Sequence, residues 1–432
     1  MRALSSWLLA RLSRVTSSGR FVPEIDGLRF IAIMSVVVFH MYDQFWASPC
    51  AAWWGGVVEV VHVGWFGVNL FFVISGFILS MPFAEQHLLD KGRVSLKKYL
   101  LRRVTRLEPP YIINLVLLLS LLVLVGGRSF AELLPHFLAS LTYSHNQVYG
   151  QGSAINYVAW SLEVEVQFYI LAPLLGCVYL IGGKWRRRAA IALGMGILLA
   201  LYGWALKEAP PVSEGMGITL AKRMENSLAS KLPYFLVGFL LTDIYLVEWR
   251  SAPRKTFKWD LIGLAAWASI PVFLLWDRIW DPAGAALPEV QKSGWKVLNT
   301  VGFASLLLAY MGAFRGRILN RFFAYPWITA IGGMCYTIYL YHQQLLEYVS
   351  PLFRPDPTVP LSPLASIGLI ALLSLIVVAG ASVLFVLFEK PFMYRDWPRR
   401  VWEGAKGLAL RLRRRPAPAA EAVEAEDPPE EE

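Results

Sequence analysis

Ten stretches of mainly apolar residues recur along this 432-residue chain, at about 28–48, 63–83, 107–126, 157–181, 189–206, 231–248, 260–276, 296–313, 325–347 and 363–388. Each is close to the roughly 20 residues a helix needs to cross a ~30 Å hydrocarbon layer, where every backbone polar group must be satisfied within the segment. The pattern predicts an all-α polytopic membrane protein, a bundle of about ten transmembrane helices. Composition agrees, with 56% apolar and only 17% charged residues, outside the range of soluble globular domains.

A formal charge of +10 raises the question of nucleic acid, but the basic residues gather at alternate connections. "KGRVSLKKYLLRRVTR", "KWRRR", "RSAPRKTFK", "RGRILNR" and "KPFMYRDWPRR" fall on one side if the N-terminus is cytoplasmic. That side then holds about 32 of the 41 Lys and Arg residues, as the positive-inside rule requires, and both termini are expected in the cytoplasm. Attraction to the lipid bilayer accounts for this charge, and no nucleic-acid partner is expected.

Three regions follow. A basic segment, 1–20, is too short and broken in its apolar part for a signal peptide and is expected to lie at the cytoplasmic interface. Residues 21–391 form the transmembrane region. The tail, 392–432, runs from "RLRRRPAPAA" into "EAVEAEDPPEEE", a composition expected to stay disordered, and no soluble hydrolase-like domain is expected after the last helix. Cys50, Cys177 and Cys335 have no paired spacing that suggests a disulfide framework or a metal site. Trp53, Trp54, Trp65, Trp276, Trp280 and Trp295 read first as an interfacial aromatic belt and second as sugar-stacking surfaces.

Ionisable residues inside apolar runs are costly and usually face the bundle interior or a watery cavity. In "EIDGLRFIAIMSVVVFHMYDQFW", Arg29 and His40 are eleven residues apart, close to three turns and about 16 Å along the axis, so they share one face and one expected groove. "LLRRVTRLEPPY" carries Arg102, Arg103 and Arg106 at spacings of three and four, guanidinium forks suited to phosphate oxygens, and ends on Tyr111, a further candidate. The second run contributes Ser75 among small residues. "WSLEVEVQFY" offers Glu163 and Glu165, about 200° apart on a helix, so that one of them faces a shared cavity. His342 comes from "CYTIYLYHQQ", and Asp43 stands three residues beyond His40.

Together these segments, with "GWFGVNLFFVISGF" and "FEKP", resemble the membrane acyltransferase-3 family over about 21–391. The resemblance implies an enzyme of the inner cell membrane that takes an acyl group, most often acetyl, from cytoplasmic acyl-CoA. It delivers that group to a hydroxyl of a glycan or lipid acceptor, with no permanently bound cofactor and no metal. It places the family's glutamate on Glu165, with Glu163 at a variable position. Arg102, Arg103 and Arg106 then bind the coenzyme phosphates, Arg29 holds the pyrophosphate or the pantetheine amides, and His40 is the general base that takes the acceptor proton. An acyl-histidine intermediate is a competing route. Glu165 would orient the acceptor or His40, with Asp43 a weaker candidate for that role, and a separate extracytoplasmic acyl-accepting protein is a possible partner. The reading from another class is a transporter or flippase for an anionic or lipid-linked solute, against which the lack of an internal repeat counts.

Overall fold

The computed structural model of the chain describes residues 2–15, 21–45, 61–208, 224–275, 301–353 and 362–394, with a few more up to 406. All regular structure among them is helical. Helix α1 spans Arg2–Leu12 and α2 Pro23–Phe45; a tight turn at Val63–Phe66 opens α3, Gly67–Leu88, followed by α4, Leu96–Leu124. Two shorter helices, α5 (Phe130–Leu141) and α6 (His145–Tyr149), precede α7 (Trp160–Leu175). Then come α8 (Lys184–Glu208), α9 (Leu228–Val247), α10 (Phe257–Leu274), α11 (Phe303–Arg315), α12 (Ile318–Phe323), α13 (Pro326–Gly333), α14 (Cys335–Phe353) and α15 (Pro363–Leu384). A wider-wound turn, Phe385–Glu389, carries α15 to its end.

Eight of the described helices are long and apolar enough to cross a membrane, as a multi-pass membrane protein requires. The other two expected spans fall on α11 and on the pair α13 and α14. The run that reads as one helix over 325–347 breaks at Met334, directly after Gly332 and Gly333. Glycine is a poor helix former, and here its missing side chain is used: a Cβ on Gly332 would lie 1.7 Å from the Asp26 carbonyl oxygen, so α13 rests on the backbone of α2. Trp53, Trp54, Trp276, Trp280, Trp295, residues 296–300 and the acidic tail lie outside the described residues, while Trp65 is 40% exposed.

Two apolar clusters make up the interior. One gathers Phe77, Phe235, Phe239, Tyr310 and Phe314 around α3, α9 and α11; the other gathers Ile33, Val37, Met41, Leu340 and Phe385 around α2, α14 and the end of α15. Phe71 of α3 and Val166 of α7 pack against both, so these helices and α2 stand at the seam. Peripheral helices turn large apolar side chains outward, among them Leu193 and Leu201 on α8 and Leu364 and Leu375 on α15. Part of the basic charge is also structural: Asp243, fully buried on α9, accepts from Arg188 Nε at 2.7 Å and from Arg187, both of "KWRRR". Such a buried carboxylate needs its cations to offset desolvation.

Helices α3 and α9 also cross with their backbones in close approach. A Cβ on Gly238 would stand 2.3 Å from the Val73 carbonyl oxygen, and one on Gly76 2.1 Å from that of Phe235. Without a hydrophobic force between helices in lipid, such small-residue contacts hold the bundle. Gly238→Ala should therefore destabilise it by about 1–3 kcal/mol through overpacking, seen as a lower thermal midpoint in detergent. Gly196→Ala, where nothing lies within 4 Å of the added carbon, should not.

Candidate active site

At the seam lies a chamber of about 940 Å³, counting its open mouth, which α2 enters with Arg29, α3 with Ser75, α4 with Arg103 and Arg106, and α7 with Glu165 and Tyr169. Cys335, Tyr336 and Tyr339 of α14 and Glu389 complete the wall. Every acid in or beside this chamber is engaged. Asp26 accepts from Arg29 Nη1 at 2.7 Å; Glu165 Oε1 accepts from Ser75 Oγ at 2.6 Å; Glu389 accepts from the Thr337 N–H at 3.1 Å and from its hydroxyl. Arg103 and Arg106 are different. Among the described residues, neither Nε has a hydrogen-bond partner and neither guanidinium has a carboxylate within ion-pair distance. Two forks, largely shielded from solvent, thus border the cavity with unbonded Nε–H groups, and Arg103 lies over the Tyr99 ring at 5.7 Å.

His40 sits in a second chamber, a cleft it shares with Trp65, Asn69, Tyr157, Trp160, Asn226 and Lys231. The His342 ring lies 5.1 Å from that of His40, centroid to centroid. Nδ1 of His342 meets the carbonyl oxygens of Ile338 (3.0 Å) and Tyr339 (2.9 Å). Both neighbours only accept, so Nδ1 is assigned the proton in the neutral ring. That leaves Nε2 as a buried lone pair with no partner among the described residues. Lys231 lies over the Trp160 ring at 5.6 Å, giving the cleft a cation against an aromatic face.

Tyr339 lines both chambers. Its hydroxyl donates to the Val158 carbonyl and lies 2.8 Å from Ser161 Oγ. With the tyrosine proton committed to Val158, Ser161 is the donor of the second bond. This hydroxyl pair, from α7 and α14, therefore stands where the two chambers meet, along what the eleven-residue spacing of Arg29 and His40 suggests is a single groove.

The structure brings Arg29, Ser75, Arg103, Arg106 and Glu165 together in one chamber and His40 to the other, with the His342 ring packed against His40 but outside the lining of either chamber. Glu165 thus lies with the arginines and not with His40. Arg102 is exposed and lines neither chamber. Tyr111 is fully buried, stacked on Tyr143 at 5.0 Å with its hydroxyl on the Ser140 carbonyl, and lines neither. Glu163 turns away and accepts from the Asn146 N–H at 2.9 Å, holding the start of α6. The side chain of Asp43 lies outside the described residues. Ser161, Tyr339 and Asp26 are missing from the expected set, yet each has a helical signal: four residues before Glu165, three before His342 and three before Arg29.

A family model described as an acyltransferase domain matches residues 22–386. The chain is 24% identical over 354 residues to the peptidoglycan O-acetyltransferase OatA of Listeria monocytogenes, covering 78% of this chain and 51% of that protein. It is 23% identical over 358 residues to the O-acetyltransferase OatA of Staphylococcus aureus, covering 78% and 52% respectively. The chain spans about half the length of the curated relatives it matches. No solved structure matches it.

Proposed function

Since this chain belongs to the membrane acyltransferase-3 family, we propose that it moves an acetyl group from acetyl-CoA, bound at the arginine chamber, to a hydroxyl of a carbohydrate-containing or lipid acceptor held in the His40 cleft. The observation that carries this reading is the pair Arg103 and Arg106, whose Nε–H groups have no hydrogen-bond partner among the described residues, beside Arg29 in a chamber that shares Tyr339 with the His40 cleft. Phosphate oxygens of the coenzyme supply the acceptors those forks lack. The basic face of the bundle is then the cytoplasmic one, in the inner cell membrane, and the cleft opens on the other side.

In the reaction the acceptor oxygen attacks the thioester carbonyl as His40 takes its proton. The carbon–sulfur bond breaks, and the coenzyme leaves as a thiolate that gains a proton to become the free thiol. His342, its Nδ1 tied to two backbone carbonyls, packs behind the His40 ring and holds it in place. Ser75 and Glu165 sit with the donor, where the carboxylate fixes the serine hydroxyl near the thioester arm. The relatives' printed names supply O-acetylation and, for one of them, peptidoglycan.

Purified full-length protein incubated with radiolabelled acetyl-CoA and fragments of surface glycan should yield an alkali-labile ester together with one equivalent of free thiol. Thioester left intact while solute crosses a vesicle membrane would instead identify a transporter. The hydroxyl pair gives a second expectation. Tyr339→Phe removes the hydroxyl that meets Val158 and Ser161. It should slow transfer about tenfold, the worth of one buried hydrogen bond, and raise acceptor-independent release of thiol as water enters, followed with a thiol-reactive dye.

A further inference from the structure

The N-terminal helix α1 is fastened beside the arginine chamber. Lys390 Nζ donates to the carbonyl oxygens of Ala10, at 2.9 Å, and Arg11, satisfying acceptors that the end of a helix leaves open. The Val15 N–H reaches Met393 Sδ at 3.4 Å. Between these two fixings stands Arg14, with only 13% of its side chain exposed. Its Nε–H donates to Asp26 Oδ2 at 2.7 Å, while Asp26 Oδ1 accepts from Arg29 Nη1 at 2.7 Å. One fully buried carboxylate is therefore shared by two guanidiniums, and the group carries a net positive charge.

The stem of Arg14 lies against Gly333, which lines the chamber; a Cβ added there would meet Arg14 carbons at 3.6–3.7 Å. Burial, followed by the neighbouring Arg29, pulls Arg14 down to about 10, so it remains charged at neutral pH. Arg29, Arg103 and Arg106 line the inner chamber, Arg14 stands behind Arg29 across Asp26 and Gly333, and these four arginines face three acids. Two of those acids, Glu165 and Glu389, are held by Ser75 and Thr337. The charge imbalance is concentrated where α1 meets α2 and α13.

We propose that Arg14 is a further binding residue for the phosphate-rich head of the donor, delivered to the chamber by the N-terminal helix. Asp26 is the positioning residue that holds the Arg14 and Arg29 forks side by side until phosphate oxygens take them. The proposal rests on the acyl-CoA reading above. Arg14 lies before residue 22, where the family match begins.

Titration calorimetry of the purified full-length chain with CoA tests it. Arg14→Ala should weaken CoA binding about 10- to 100-fold, the range for losing a charge-assisted hydrogen bond. Arg14→Lys, which keeps the charge and loses the fork, should weaken it about three- to tenfold. Ser13→Ala, whose hydroxyl meets only its own helix at the Leu9 carbonyl, should leave binding unchanged. Wild-type affinity in the Arg14 variants, with the native chain binding CoA, overturns this proposal alone. A native chain that binds no CoA overturns the donor reading, and this proposal with it. Should Arg14→Ala lower the thermal midpoint sharply, the lysine variant decides.

Discussion

Replacing His40 by alanine is expected to lower acyl transfer about 10²- to 10⁴-fold, the usual worth of a positioned general base, while the bundle stays folded and still binds CoA. The structure supports the separation of effects. His40 belongs to the cleft with Trp65 and Trp160, whereas the arginines that would hold the coenzyme line the other chamber. Donor KM should accordingly change little while kcat collapses. His342→Ala should cost less, since that ring meets His40 at 5.1 Å and is itself tied to the helix backbone. The measurement is single-turnover transfer from radiolabelled acetyl-CoA with and without acceptor. A base mechanism releases no thiol until acceptor is added; an acyl-histidine intermediate releases one equivalent at once. Near-native turnover in the alanine variant removes His40 from the chemistry altogether.

Much of this arrangement is legible in the sequence because a membrane makes polar residues conspicuous. Arg29, Arg103, Arg106 and His40 stand out against apolar helices, where an ionisable group without a function is rarely tolerated. The choice among neighbouring arginines is another matter. Arg102 and Arg106 are four apart, Arg103 and Arg106 three apart, and both spacings place a pair on one helix face. Only the packing of α4 against its neighbours selects the second pair and leaves Arg102 exposed. Glu165 poses the same difficulty in depth. Its position along α7 suggests a place near His40, but Glu165 lines the arginine chamber, and the Tyr339–Ser161 contact where the two chambers meet joins residues 178 apart in the chain. No local pattern encodes it. The break at Met334 is intermediate: two glycines weaken the helix there, yet whether a glycine pair bends a helix or merely thins it depends on the α2 backbone seated against Gly332.

Removing both Arg103 and Arg106 side chains should raise the donor KM about 10²- to 10⁴-fold, since each charge-assisted hydrogen bond contributes about 1.5–3 kcal/mol. Among the described residues neither guanidinium has a carboxylate within ion-pair distance, so alanine at these positions breaks no direct ion pair, and the double variant should fold. Glu389, buried in the same wall, keeps its hydrogen bonds from Thr337. At saturating acetyl-CoA the loss in kcat should be far smaller than the loss in kcat/KM, because the forks grip the head of the donor, away from the reacting carbonyl. Arg102→Ala serves as the internal comparison: an exposed arginine contributes through long-range attraction only, so its effect should stay within about threefold and vanish as salt shortens the screening length. Were Arg102→Ala the more damaging change, or were the double variant to keep a native donor KM, the coenzyme would have to bind elsewhere. The Arg103 and Arg106 Nε–H groups would then need another anion to explain them.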